Sequence, residues 1–151
     1  MKSRLTLLAI CAILLSGCGM DIDWCPVSLS ISIQSPDGTD LLDPDSESFI
    51  GDKVTLTYQE ADFTYTPTTK TYLPTFYGLK IYQDSQIQKY RLHFGELDGG
   101  QDYDDDFILT LPNGTTRTIH YTRTINSFTI SAHEKWTLDG HKATSPILIT
   151  Y

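Results

Sequence analysis

Residues 27–34, Val27-Ser28-Leu29-Ser30-Ile31-Ser32-Ile33-Gln34, alternate an aliphatic side chain with a small polar one without a break. Successive side chains of an extended strand point to opposite faces. This period of two therefore places Val27, Leu29, Ile31 and Ile33 on a buried face and the serines toward water. A helix would need apolar residues at i, i+3, i+4 and i+7, and no adequate window shows them beyond the N-terminal leader. The run stops at Ser35-Pro36-Asp37-Gly38, a turn by composition.

The same period recurs downstream. Val54, Leu56 and Tyr58 share a face over Lys53 to Gln59, and Phe63 and Tyr65 follow over Asp62 to Thr66. A strand at about Phe76 to Tyr82 aligns Tyr77, Leu79 and Ile81, and one at about Ile87 to Phe94 aligns Tyr90, Leu92 and Phe94. Phe107, Leu109 and Leu111 lead into Pro112-Asn113-Gly114, after which Ile119 and Tyr121 resume the alternation. Asn-Gly between alternating runs predicts a hairpin, since both residues tolerate positive φ. Asn113-Gly114-Thr115 also matches a glycosylation acceptor, and is read as the turn alone. Phe128, Ile130 and Ala132 form another strand set, and Pro146 to Tyr151 a last one. Eight or nine short strands separated by Gly, Pro, Asp and Asn predict an all-β fold, a single antiparallel β-sandwich of immunoglobulin-like or related type.

The N-terminus follows other rules. Lys2 and Arg4 precede an apolar run, Leu5 to Leu15, of about eleven residues, within the roughly 7–15 of a signal-peptide core and short of the about 20 that span a bilayer. Leu15, Ser16, Gly17 and Cys18 then resemble, at all four positions, the lipobox of a bacterial lipoprotein signal. The resemblance implies cleavage before Cys18 and a thioether-linked diacylglycerol on its sulfur, with acylation of the new amino group. The expected organisation is a cleaved leader over 1–17, a lipidated tether over 18–26 and one β-sandwich domain over 27–151. Cys11 would leave with the leader, and Cys25 would be the mature chain's free thiol. Between Trp24 and Pro26 at a strand edge, it is expected to be buried rather than paired with another molecule.

The 151-residue chain carries a formal charge of −8. Loss of the leader removes two basic residues and no acidic one, giving −10. A domain this acidic lacks the basic face that phosphate neutralisation requires, so no nucleic-acid partner is expected.

Two acidic clusters could supply the six to eight oxygens that calcium takes. Asp37, Asp40 and Asp43, with Asp45 and Glu47, lie in one loop. Its Leu41 and Leu42 are expected to plug it against the sandwich. Asp98, Asp102, Asp104 and Asp106, with Glu96 and Asp105, form the second cluster, read as a surface turn. Neither has the helix-loop-helix calcium pattern, and the plainer reading is solvated Asp turns that bond their own backbone. No metal ligand is assigned. His133 and His141 stand eight apart, where a helical zinc protease needs i and i+4, and His93 and His120 are read as ordinary strand histidines. No nucleophile elbow, phosphate loop or dinucleotide fingerprint occurs, so no catalytic residue and no cofactor are assigned. Tyr72, Phe76, Tyr77, Tyr82, Tyr90, Tyr103, Tyr121, Trp24 and Trp136 could stack on sugars or anchor a partner where they face outward, although tyrosines also favour strands.

DWCPV after the tether, GTDLLDP, LPTFYGL, FGELDG, YDDDF and the final SPI together make the chain similar to small cell-envelope lipoproteins of the Bacteroidota type. They are spread over residues 23 to 148. The resemblance implies a lipid-anchored β-sandwich at the outer membrane and carries no catalytic or binding residue. Only Asp21 and Asp23 are acidic just after Cys18, so periplasmic and surface-exposed faces both stay open. The expected function is a non-enzymatic binding or assembly module facing an envelope protein or a glycan. The alternatives are a carboxylate-dependent envelope glycoside hydrolase and a purely structural surface lipoprotein.

Overall fold

Alternation becomes burial in the first strand. In the computed structural model, which describes residues 24–65, 78–126 and 128–151, Leu29, Ile31 and Ile33 of β1 (Val27–Gln34) all lie in the core. The strands that follow are β2 (Thr55–Tyr58), β3 (Ala61–Thr64), β4 (Leu79–Asp84), β5 (Lys89–Leu97) and β6 (Tyr103–Thr110). After them come β7 (Thr116–Asn126), β8 (Ser131–Leu138), β9 (His141–Ala143) and β10 (Ile147–Thr150). They form two sheets, of order β10-β1-β5-β4 and β3-β2-β6-β7-β8-β9, which bury one core between them. The fold is the expected all-β sandwich. Among the described residues no helix is long and apolar enough to cross a membrane.

Aromatic rings join the two layers. Phe94 of β5 meets Tyr58 edge-on at 5.7 Å and Phe107 at 6.0 Å, while Tyr58 and Phe107 stack at 4.6 Å. Offset and edge-to-face pairs of this kind add about 0.5–1.5 kcal/mol each to their area burial. One pairing departs from the antiparallel expectation: β10 lies parallel to β1, with Ile147 opposite Ile31 and Ile149 opposite Ile33. β1 thus has a partner on both edges, and its pure alternation fits a strand with one face in the core.

The predicted hairpin forms between β6 and β7, with a different turn. Gly114 alone takes positive φ, at +81°, and the Asn113 side chain instead accepts the Thr115 amide at 2.9 Å. Three strand boundaries also move. β5 does not end at Phe94. Gly95, at φ +68°, makes a bulge in which Val27 and Leu29 oppose Leu97 and Phe94, so both Phe94 and Leu97 face inward despite being three apart. Such bulges favour glycine because one residue must enter the left-handed region. Ile87 sits in the turn before β5, exposed, rather than in the strand. Phe128 and Ile130 belong to the β7–β8 turn, and the strand that follows runs through the histidine-containing stretch Ser131–Leu138. Of the second acidic cluster, Asp98 and Asp102 lie in the loop between β5 and β6, whereas Asp104, Asp105 and Asp106 belong to β6 rather than to a surface turn. The expected residues Thr66, Phe76 and Tyr77 lie outside the described residues.

The long loop after β1 folds back as expected. Leu41 and Leu42 are buried, and the Leu41 amide donates to the Ile33 carbonyl at 3.0 Å. Asp40 fixes the loop by accepting the Leu42 amide at 3.0 Å and the Tyr90 amide of β5 at 2.7 Å. Leu42→Ala is expected to cost about 2–5 kcal/mol through transfer and cavity terms. A lower urea midpoint at unchanged slope would record this, and an unchanged midpoint would show that the loop does not plug the core.

Candidate functional site

The seven calcium candidates are not gathered. Asp37 accepts from the Ser35 hydroxyl and from the Thr39 amide at 3.3 Å, and these bonds, the Ser35 hydroxyl first, lower its carboxyl pKa from the ordinary value. Asp40 is spent on the loop. Asp43 accepts the Asp45 amide at 3.0 Å, and Asp98 accepts the Gly100 amide at 2.8 Å and the Gln101 side chain at 3.1 Å. Asp102 accepts the Ile125 amide at 2.7 Å.

Along β6 the pleat splits the remaining carboxylates. Asp104 and Asp106 flank the His120 ring, at 3.3 Å from Nε2 and 2.8 Å from Nδ1, while Asp105 turns to the opposite face and accepts the Tyr58 hydroxyl at 2.9 Å. Among the described residues no group of three or more His, Cys, Asp and Glu is placed to hold a metal.

Among the described residues the aromatic side chains do not build one platform either. Tyr121 and Trp136 stack at 4.0 Å inside the core, and Tyr90 and Tyr103 pack partly against it. Tyr82 is exposed and meets the His93 ring edge-on at 5.7 Å. Burial, followed by the Lys80 charge, lowers the His93 pKa, with Glu96 opposing. Tyr72, Phe76 and Tyr77 lie outside the described residues. Cys18 also lies outside them.

The residues that do converge lie where the chain enters β1, and the central one is Arg123, which sequence reading missed. Its side chain is 4% exposed. It is ion-paired with Glu134 directly opposite on β8, donates from Nη2 to the Gly99 carbonyl at 2.7 Å, and stands 5.6 Å from the centre of the Trp24 ring. One guanidinium therefore ties together β7, β8, the β5–β6 loop and the segment preceding β1. Its position continues the parity of the buried Ile119 and Tyr121, and that parity was the available signal. Beneath it, burial pushes the Tyr121 hydroxyl pKa up, with Arg123 opposing.

Gly99 completes the seat. A Cβ there would run into the Cys25 carbonyl oxygen, so only glycine lets the two backbones approach this closely. The approach involves the Cys25 backbone, and its thiol is exposed, which corrects the expected burial. Trp24, Pro26, Arg123, Glu134, Trp136 and Ser145 line a cleft of about 560 Å³. Its cation is already committed to Glu134 and to a carbonyl, so the arrangement serves to fix Trp24–Pro26 to the sandwich.

A second cavity, of about 260 Å³, lies toward the other end of the four-stranded sheet. Ile33, Ile87, Tyr90, Pro146 and Leu148 line it with Asp40 and Lys89 among its polar residues. Ile87 and Leu148 are large apolar side chains left exposed. In comparisons with known proteins, no family model, no curated protein and no solved structure matches the chain.

Arg123→Met should destabilise the domain by about 2–4 kcal/mol, since it removes charged hydrogen bonds and leaves Glu134 and the Gly99 carbonyl without their partner. Tryptophan emission should also shift to the red as Trp24 loses its seat, and an unchanged denaturation midpoint would refute the clasp. The Cys25 thiol should react with a disulfide reagent in the native protein at the rate of a small exposed thiol. Protection until unfolding would contradict its placement.

Proposed function

We propose that this chain is a lipid-anchored envelope protein that acts as a non-enzymatic binding module held close to a membrane. The observation that carries this reading is the docking of Trp24–Pro26 by Arg123 and Gly99 only six residues after Cys18. A fully extended chain covers at most about 3.6 Å per residue, so an acylated Cys18 would keep the sandwich within about 22 Å of the lipid surface. Two or more acyl chains at about 0.8 kcal/mol per buried CH₂ give stable anchoring where one is marginal.

The cavity bordered by Ile87, Tyr90 and Leu148 supports the binding half of the reading. It lies at the end of the sandwich away from Trp24, so an anchored domain would present it outward. An apolar wall with a few polar groups suits an apolar side chain or a short segment of a partner protein.

Mass spectrometry of the natural product should find Cys18 as the N-terminal residue carrying diacylglycerol. An intact leader or an unmodified sulfur would overturn the anchor. Leu148→Asp should then abolish capture of envelope partners by the anchored chain without lowering its stability, and unchanged capture would remove the cavity from the reading.

A further inference from the structure

Among the described residues, the β7–β8 turn carries the most exposed large apolar side chain. Phe128 is 100% exposed and Ile130 48% exposed. The surrounding sequence, Thr124 to Ala132, holds no charged residue in a chain where 20% of residues are charged. Within the tip, Asn126 Oδ1 accepts the Phe128 amide at 3.0 Å and the Thr129 amide at 3.2 Å, and the Thr129 and Ser131 hydroxyls lie 2.7 Å apart. Ile130 adopts φ +51°, a left-handed conformation that glycine or asparagine accepts with less strain than a β-branched residue. An isoleucine held there half-exposed gains little core packing in return.

The tip points to the same side as the start of the fold. Arg123, beside Trp24 and Gly99, is the level at which β6 begins, and Asp102 accepts the Ile125 amide just beyond it. Three strand residues from Arg123 to Asn126, at about 3.3 Å each, carry the end of β7 about 10 Å past that level, and the turn that holds Phe128 lies beyond it. The six-residue span from Trp24 back to Cys18 reaches at most about 22 Å. The overhang and the start of the tether therefore lie at one end of the sandwich, and the tether is long enough to span the overhang.

We propose that the β7–β8 tip is a second membrane contact, with Phe128 and Ile130 entering the headgroup–acyl boundary of the bilayer in which Cys18 is anchored. The inference rests on the anchored reading above. An uncharged tip whose Phe128 and Thr129 amides are already bonded to Asn126 can enter that boundary without burying a charge or stripping those two amides of partners. The acyl chains would fix distance and the hairpin would fix tilt, so that the sandwich has one orientation on the surface.

The test uses the full acylated chain with Phe128→Trp, reconstituted into phosphatidylcholine vesicles with brominated acyl chains. The emission added by the new tryptophan should be quenched about two-fold or more relative to unbrominated vesicles, while the wild-type tryptophans change little. Adding Ile130→Asp should abolish that quenching. Acylated Cys18 with unquenched tip emission would overturn the hairpin contact alone, leaving the anchor in place and pointing to a protein partner for the tip. A chain without acyl groups at Cys18 would overturn both readings.

Discussion

A single buried guanidinium sets the geometry at one end of this sandwich. Arg123 lies at an inward-facing position of β7, where the preceding alternate residues, Ile119 and Tyr121, are wholly buried. A cation in such a position is tolerated only if its charge is answered locally. Glu134 answers the charge, the Gly99 carbonyl takes a second donor, and the group lies over the Trp24 ring, while its buried Nε is left without a hydrogen-bond partner. Each answer recruits a different segment, so the requirement to compensate one charge organises four parts of the chain. A leucine at this position would pack without needing any of them.

Two glycines make that arrangement reachable. The bulge at Gly95 lets β5 keep both Phe94 and Leu97 in the core, and so directs the following loop beneath the start of β1. Gly99 then removes the one Cβ that would keep the Cys25 backbone away. Both are backbone solutions whose need arises from elements distant in sequence, which explains why FGELDGG reads locally as nothing more than the end of a strand.

Strands whose alternation is pure and whose turns carry their own chemistry were legible in advance. β1 and the β6–β7 hairpin are of this kind, and so was the Leu41–Leu42 plug. Legibility failed where tertiary partners decide. Trp136 and Thr137 are adjacent and both buried, so β8 has no clean period, and the stretch was read for its histidines instead. Phe128 and Ile130 have the right spacing but sit in the turn between β7 and β8, exposed rather than on a strand face. Periodicity reports a common face and is silent on whether anything covers it. The acidic run concealed a strand because Asp105 turns inward, where the Tyr58 hydroxyl accommodates it. Cys25 was misjudged from apolar neighbours along the chain, when the approach of Gly99 involved its carbonyl and left its thiol in water.

The position of β1 bears on how an anchored domain would carry load. Tension applied through Cys18 would meet the Arg123–Trp24 clasp first and β1 second. β1 is an inner strand, with four residue pairs to β10 on one side and four to β5 on the other. Pulled along its own axis, it loads both ladders in shear, so that many hydrogen bonds must yield together rather than one at a time from an edge. Forced unfolding is governed by the rate of that concerted step. An edge strand after the tether would peel instead, and the clasp would then be its only protection. Among the described residues the first strand thus lies in the interior of its sheet, where a load along its axis is shared by two ladders.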